Sequence, residues 1–348
     1  MAGIFSLRKG HLPEMEDLES LIKEYQHLLR VDQIDEVEHR GKRFPLTTVE
    51  LGSKDPKASV FALFGGVHGL ERIGTHVVLV YLRHLLQSLQ WDKTLQRRLE
   101  ESRFVFMPIV NPVGMFHFRR SNANGVDLMR NAPVEGEGSS SQFFSGHRIS
   151  PKLPCYRGEA GTMEKEAQVL CQVVREKVFP SHLSFVLDVH SGFGSRDRFW
   201  FPWAKNLEMF PLISEVMAFR DLLDRSYPYH VYDIEPSATH YVIHGDLWDY
   251  LFAEHHESNR IQESIFLPWT LELGSWAWLR KSPLQILHPL RFHHPLKPHR
   301  VKRILRRHML LFDFIHRSLI SPDSWLLEGQ SRRQEYETRA KELWYDKR

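Results

Sequence analysis

The chain has 348 residues, 42% hydrophobic and 26% charged, a balance that excludes a disordered, collagen-like or coiled-coil protein. Its 46 Lys and Arg residues and 43 Asp and Glu residues leave a net charge of +3, too small by itself to indicate a nucleic-acid-binding protein. The longest stretch without these charged residues, 104–118, is shorter than a membrane span. Two cysteines, Cys155 and Cys171, cannot form a disulfide framework, and the N-terminus lacks a signal-peptide pattern. We therefore expect a cytoplasmic protein without membrane contact.

The periodicity of apolar residues divides the chain into helices and buried strands. In chain order, the predicted elements are a helix over 14–30, strands over 43–51 and 60–64, a helix over 71–90, a strand over 104–110, a helix over 162–178, and strands over 183–189 and 266–273. Strands that alternate with helices predict an α/β fold, with helices on the faces of a sheet.

Composition changes along the chain predict its organisation. The segment 132–161 is rich in Gly, Ser and Pro, which indicates a long binding loop or lid. Cations are concentrated in 291–308, and we expect this basic helix face to meet solvent rather than nucleic acid. The predicted division is an N-terminal helix and strands (1–52) packed on the rest, a catalytic domain (53–285) and a basic C-terminal helical extension (286–348).

Residues that can bind a metal follow the predicted strands. His68 and Glu71 follow the second strand, His190 ends a later one, and Glu272 lies near the end of the last. Side chains at the carboxyl ends of such strands gather at one edge of the sheet. Two histidines and one glutamate are the ligand set of a catalytic zinc, which keeps its fourth position open for water. The sequence therefore predicts a zinc site with Glu272 as general base.

These residues belong to a longer series of motifs that resembles the M14 family of zinc metallocarboxypeptidases. The motifs occur in family order over about residues 55–280 and are Gly66-x-His68-x-x-Glu71, Asn111-Pro112-x-Gly114, Arg120-x-Asn122-x-x-Gly125-Val126-Asp127-Leu128-x-Arg130-Asn131, Tyr156-Arg157-Gly158, Asp188-x-His190-Ser191 and Leu271-Glu272-Leu273. The resemblance implies a mixed, mostly parallel sheet of about eight strands between helices. It also implies one zinc ion per chain, bound by His68, Glu71 and His190.

The resemblance also implies roles for four further residues. Arg120 would stabilise the negative charge that develops on the scissile carbonyl. Asp127 would accept a hydrogen bond from the far nitrogen of His68 and fix its tautomer. Arg130 would bind the terminal carboxylate of the substrate, and Asn131 is a candidate for an additional donor there.

One position departs from the family pattern, and two others leave the alignment open. The family usually has Asn directly before the carboxylate-binding Arg, but this chain has Met129, which cannot donate a hydrogen bond. Spacing from the base selects Tyr250 as the tyrosine that caps the substrate, whereas an alternative alignment puts Phe252 there. The position that sets side-chain specificity in the family falls near Glu257, with Ser258 and Asn259 as alternatives.

The expected activity is zinc-dependent hydrolysis of an amide bond next to a terminal carboxylate, as in a metallocarboxypeptidase. Met129 favours an alternative substrate for the same chemistry, namely a murein-peptide amide, a γ-glutamyl amide or an N-acyl amino acid. A third interpretation, from another class, is a catalytically inactive binding module. The intact ligand set and Glu272 argue against it, because a binding module needs no general base.

Overall fold

The computed structural model describes residues 8–137, 142–258, 264–280, 287, 290 and 292–346. Its strands are β1 (Arg30–His39), β2 (Lys42–Gly52), β3 (Ser59–Gly65), β4 (Ser102–Met107), β5 (Leu183–Ser191), β6 (Asp197–Phe201), β7 (Tyr232–Pro236) and β8 (Ile265–Leu273). Its helices are α1 (Pro13–Tyr25), α2 (Arg72–Ser88), α3 (Lys93–Glu101), α4 (Pro112–His117), α5 (Gln142–Ser145), α6 (Lys165–Lys177), α7 (Ile213–Ser226), α8 (Leu247–Glu257), α9 (Trp276–Arg280), α10 (Pro298–Arg307), α11 (Met309–Leu319) and α12 (Gln330–Trp344). Within the described residues, no helix is both long and apolar enough to cross a membrane.

The strands form one eight-stranded mixed sheet in the order β1-β2-β4-β3-β5-β8-β6-β7. The central run from β4 through β3 and β5 to β8 is parallel, and so is the outer pair of β6 with β7. Antiparallel pairs join β1 to β2, β2 to β4, and β6 to β8. The predicted α/β class and the mixed, mostly parallel sheet are confirmed.

Helices cover both faces of the sheet, which explains why every residue of β3 and β5 is buried. Phe61 on β3 contacts Tyr81 of α2 and Phe312 of α11, with ring centroids 6.4 and 6.1 Å apart. Phe64 has the opposite parity along the strand and contacts Trp248 of α8 at 5.2 Å. Therefore α2 and α11 lie on one face and α8 lies on the other.

The structure differs from the predicted elements mainly at the margins of the sheet. The first helix ends at Tyr25 rather than at 30, and the chain then forms β1, which the apolar pattern did not predict. This strand is at the sheet edge and is largely exposed, so it carries few apolar residues. β6 and β7 were also missed, because each has only five residues. The predicted strand over 104–110 ends at Met107.

The three predicted segments share one hydrophobic core, and the first two also share one sheet. β1 and β2 of the first segment extend the sheet beyond β4, and α11 of the last packs against β3 and β5. α10 buries Val301 and Ile304 but exposes Lys302, Arg303 and Arg306 to solvent. Arg291, the first residue of the basic 291–308 segment, lies outside the described residues.

A buried ion pair connects α1 to the start of α2. Arg72 donates from Nε to Glu14 Oε1 at 2.7 Å and contacts Glu14 Oε2 through Nη2. His76 Nε2 lies 2.7 Å from the same Glu14 Oε1. Arg72 and His76 are 0% exposed and Glu14 is 1% exposed. The charges of Arg72 and Glu14 therefore compensate each other out of contact with water. The pair fixes the N-terminal helix beside the turn that carries Glu71.

Candidate active site

A tight turn after β3 positions His68 and Glu71. Gly66 has φ +69°, and a Cβ there would lie 2.6 Å from Thr75 Oγ1, so the turn requires glycine. Glu71 directly precedes the first residue of α2, where the positive end of the helix dipole favours a carboxylate. His68 Nδ1 lies 2.9 Å from Glu71 Oε1, and both side chains are buried.

The parallel pairing of β5 with β8 places His190 beside Glu272, because the two residues are register partners. His190 Nδ1 lies 3.0 Å from Glu71 Oε2 and 3.2 Å from His68 Nδ1. One ligand atom from each of His68, Glu71 and His190 lies within 4.8 Å of the others. The structure thus brings the three predicted metal ligands together.

Carboxylates behind both histidines determine which nitrogens face the centre. His68 Nε2 is 2.9 Å from Asp127 Oδ1, and His190 Nε2 is 2.7 Å from Asp188 Oδ2. A carboxylate only accepts, so each Nε2 carries a proton and each Nδ1 turns toward Glu71. Two imidazole nitrogens and a carboxylate that converge in this way, each imidazole supported by a carboxylate, fit a zinc ion.

The electrostatics of the centre also favour a cation. Burial opposes the charge on Glu71, but His68 and His190 hold the pKa of its carboxyl well below the usual value. Burial likewise opposes the charge on His190, but Asp188 and Glu71 raise the pKa of its imidazole well above the usual value. The raised pKa of His190 means that these carboxylates favour a positive charge at this point, which is the property of a metal site.

Asp127 organises the two arginines beside the centre. Its Oδ2 accepts from Arg120 Nε and from Arg130 Nη1, both at 2.9 Å. Arg120 also donates from Nη1 to Glu71 Oε1 at 3.1 Å. Arg130 Nε donates to the backbone oxygen of Phe144 at 3.1 Å, and its Nη2 has no hydrogen-bond partner in the part of the chain described. Both guanidinium groups line the same cavity as the metal ligands.

Glu272 lies in a buried setting that raises the affinity of its carboxylate for a proton. Its Oε1 accepts from the backbone N–H of Phe193 at 2.8 Å. Burial and the neighbouring charge of Glu71 raise the pKa of Glu272 to about 8. A carboxyl group with such a pKa matches the working range of a general base.

These groups open into a cavity of about 770 Å³. Side chains that line it include His68, Glu71, Arg120, Met129, Arg130, Phe144, Cys155, His190, Phe193, Trp200, Tyr241, Glu272 and His293. Met129 is thus in the cavity wall directly before Arg130, and its side chain is 6% exposed. Phe144 and Cys155 come from the predicted 132–161 loop, of which 138–141 lie outside the described residues.

The structure places the predicted Tyr250 and Asn131 away from the cavity lining. The Tyr250 hydroxyl accepts from Arg175 at 3.2 Å between α6 and α8. The Asn131 amide donates to the Arg157 and Thr162 backbone oxygens and accepts from Glu164 N–H, so its hydrogen-bonding groups hold the loop instead of a ligand.

The alternatives left open near the base do not line the cavity either. Phe252 is fully buried in the core. Glu257 and Ser258 are exposed at the end of α8, and Asn259 lies outside the described residues. The tyrosine that faces the site is Tyr241, whose hydroxyl pKa burial raises to about 12. It therefore stays protonated and can donate a hydrogen bond.

Sequence reasoning missed three site residues. Asp188 was visible in the Asp-x-His motif, because residues two apart on a strand share a face and can pair. Tyr241 and His293 carry no comparable signal, since they reach the cavity from irregular segments after β7 and before α10. Burial lowers the pKa of His293 despite the nearby Glu71, so its imidazole is neutral.

Comparison with known proteins supports the interpretation of this geometry. The zinc carboxypeptidase family model, peptidase M14, matches residues 15–256. The chain belongs to this family. The crystal structure of thrombin activatable fibrinolysis inhibitor (TAFI) is 15% identical in sequence, with a TM-score of 0.63 over 87% of this chain and 72% of that one. At that identity, the likeness shows the zinc carboxypeptidase fold alone.

Two curated relatives of this zinc carboxypeptidase family member differ in what their names state. Carboxypeptidase SOL1 of Arabidopsis thaliana is 29% identical over 144 residues, which are 40% of this chain and 27% of that protein. Inactive metallocarboxypeptidase ECM14 of Arthroderma otae is 23% identical over 201 residues, 52% of this chain and 32% of that protein. The chain spans about a third or less of the length of these relatives.

Proposed function

We propose that this protein is an active zinc-dependent hydrolase of the metallocarboxypeptidase type, which cleaves an amide bond next to a terminal carboxylate. The observation that carries the proposal is the convergence of His68, Glu71 and His190 beside Glu272 in one cavity. These three residues would hold one zinc ion per chain. The substrate would be a peptide or another amide with a terminal carboxylate.

The three ligands, the base and the two arginines each have a definite part in this chemistry. Zinc held by the three ligands would supply Lewis acidity, polarising the scissile carbonyl and lowering the pKa of water at its open position. Glu272 accepts a proton from the attacking water and passes it to the leaving nitrogen, because Phe193 holds only one of its two oxygens. Arg120 stabilises the charge that develops on the carbonyl oxygen. Arg130 binds the terminal carboxylate through its unpartnered Nη2.

The name of the inactive relative makes loss of activity the main competing interpretation. Two features support an active enzyme here. The ligand set and the base are all present, and both outer nitrogens of the histidines have carboxylate partners. A protein kept only for binding has no need of a base whose pKa is raised toward neutrality.

The test combines metal analysis with a substrate screen on the full chain. Zinc content should approach one ion per chain, and the screen should include N-blocked dipeptides, γ-glutamyl amides, murein-type amides and N-acyl amino acids. Hydrolysis of at least one class is expected only with zinc. Stoichiometric zinc without turnover of any class would favour the inactive binding module.

Asp188→Asn should weaken zinc binding about 10–100-fold. The Asp188 carboxylate accepts from His190 Nε2 at 2.7 Å and from Trp248 Nε1 at 3.0 Å, and it fixes the imidazole for coordination. An amide oxygen in the place of Oδ2 accepts less strongly than a carboxylate oxygen, and the N–H₂ would then take the place of Oδ1, which is buried without a hydrogen-bond partner among the described residues. Competition with a zinc chelator measures the affinity, and circular dichroism checks the fold. Unchanged affinity in a folded variant would rule out this support of His190.

Met129→Asn should raise kcat/KM for N-blocked dipeptides by about tenfold or more. A hydrogen bond to a charged group is worth about 1.5–3 kcal/mol, and a thioether in the cavity wall beside Arg130 cannot provide it. The parallel measurement is the melting temperature of the same variant. Lower stability without any gain on dipeptides would show that the amide is buried without a partner. That outcome would remove the reason that Met129 gives for preferring the non-standard amides.

A further inference from the structure

One histidine in the cavity wall belongs to none of the motifs that identify the family. His293 precedes α10 and lies beyond the matched residues 15–256. Its Nδ1 is 3.8 Å from Glu71 Oε1, and its ring lines the cavity. The C-terminal part of the chain therefore contributes a side chain directly beside the metal ligands.

Several contacts fix the position of His293. Its Nδ1 donates to the backbone oxygen of Ser191 at 3.2 Å, and its own backbone oxygen accepts from Ser191 Oγ at 2.7 Å. Its backbone N–H donates to the Leu290 oxygen at 2.7 Å. The ring packs so closely on Gly192 that a Cβ there would lie 2.6 Å from Nδ1. These contacts therefore fix the backbone of His293 and the Nδ1 side of its ring, which leaves Nε2 as the free end of the imidazole.

These contacts also determine what the ring offers to a ligand. A carbonyl oxygen only accepts, so the proton of the neutral ring lies on Nδ1 and Nε2 carries a lone pair. The Nε2 atom has no hydrogen-bond partner among the residues that the structure describes. The side chain is 21% exposed, in a wall that faces the cavity. His293 thus presents a fixed hydrogen-bond acceptor.

The place of His293 relative to Arg130 indicates which part of the substrate it meets. Arg130 contacts Asp127, which lies behind His68, whereas His293 lies on the side of Glu71 and Ser191. If its carboxylate is at Arg130 and its scissile carbonyl at the metal ligands, a substrate would have its acyl side on the side of the centre where His293 lies.

We propose that His293 is a specificity-determining residue whose Nε2 accepts a hydrogen bond from an N–H group on the acyl side of the scissile amide. The proposal deepens the proposed hydrolase function and rests on it. It names the substrate class as amides whose acyl part carries such a donor close to the carbonyl, as an acylated amino acid does. A neutral hydrogen bond of this kind favours the N–H substrate about threefold to tenfold.

The test compares matched compounds on wild type, His293→Ala and His293→Gln. The kinetic pair is an N-acetyl dipeptide and the same compound methylated on its acyl-side nitrogen. Wild type should prefer the N–H compound about threefold to tenfold in kcat/KM, and His293→Ala should remove the preference with zinc content unchanged. His293→Gln, which keeps an acceptor, should restore part of it. His299→Ala, at an exposed histidine of α10, is the control and should behave as wild type.

A binding measurement separates this inference from the proposed hydrolase function. Calorimetry on the zinc-loaded chain would use N-acetylalanine, the acyl product of an N-acetylalanyl dipeptide, and its N-methyl analogue. With the carboxylate of this product in the place of the scissile carbonyl, its N–H is the acyl-side donor, so wild type should show the same preference in Kd and His293→Ala none. If no amide is hydrolysed but this difference in Kd appears, the hydrolase proposal fails and the role of His293 stands. An equal preference in both proteins, no binding of either compound to wild type, or loss of zinc from His293→Ala would overturn the inference.

Discussion

Glu272→Gln is expected to lower kcat by about 10²–10⁴-fold while zinc content and fold stay unchanged. Gln has the same shape, and its side-chain oxygen can still accept from the Phe193 N–H that now holds Glu272 at 2.8 Å. It cannot take a proton from water, so only base catalysis is removed. Single-turnover kinetics, zinc analysis and a melting curve on the same preparation measure the three quantities. Turnover within a few-fold of wild type would assign the base to another residue.

The variant to compare with it is His190→Ala. His190 lies on β5, next to β8, and is the register partner of Glu272. This variant removes a metal ligand and should lose zinc and activity together, whereas Glu272→Gln should lose activity alone. Stoichiometric zinc retained by His190→Ala would refute the ligand assignment.

Glu14→Gln should lower the free energy of unfolding by about 3–5 kcal/mol. The change leaves Arg72 fully buried without its counter-ion, and a neutral amide also weakens the contact with His76. Urea denaturation measures the loss. Glu19→Gln is the control, because Glu19 is exposed on the same helix and should change stability by less than about 0.5 kcal/mol. Equal stability of the two variants would contradict a stabilising role for the buried pair.

The same cluster should contribute to acid sensitivity. Burial alone would raise the pKa of the Glu14 carboxyl, but His76 and Arg72 outweigh it and hold the pKa at about 2, below the usual 4.5. Because the folded state lowers this pKa, its stabilising contribution is present above about pH 4.5 and disappears as the pH falls toward 2. The stability difference between wild type and Glu14→Gln should therefore shrink over that interval.

The sequence was sufficient to predict the site residues that follow directly from local patterns of strands and turns. His68, Glu71, His190 and Glu272 lie at or just after apolar strands, and the ends of parallel strands share one sheet edge, so their convergence could be predicted before any coordinates. Their catalytic roles remain predictions. The sheet class followed from the alternation of helices with strands such as β3 and β5, whose apolar runs indicate burial and which are buried along their whole length.

Other residues depend on paths through irregular segments, which spacing alone does not determine. Tyr250 has the expected distance from the base in sequence, but α8 directs its hydroxyl to Arg175, and Tyr241 reaches the cavity instead. Asn131 is adjacent to Arg130, yet its side-chain amide donates its hydrogen bonds to backbone oxygens instead of to the cavity. His293 comes from a distant part of the chain, and only tertiary packing brings it to Ser191.

The order of strands in the sheet has a consequence for synthesis of the chain. β8 comes last in sequence but lies between β5 and β6, so the β6–β7 pair joins the rest of the sheet only through it. Until residues 265–273 leave the ribosome, the facing edges of β5 and β6 stay unpaired and open to association with other chains. The emerging polypeptide completes His68, Glu71 and His190 first. It gains Glu272 only with β8, the strand that joins the two parts of the sheet. The sheet therefore becomes continuous in the same step that adds the general base.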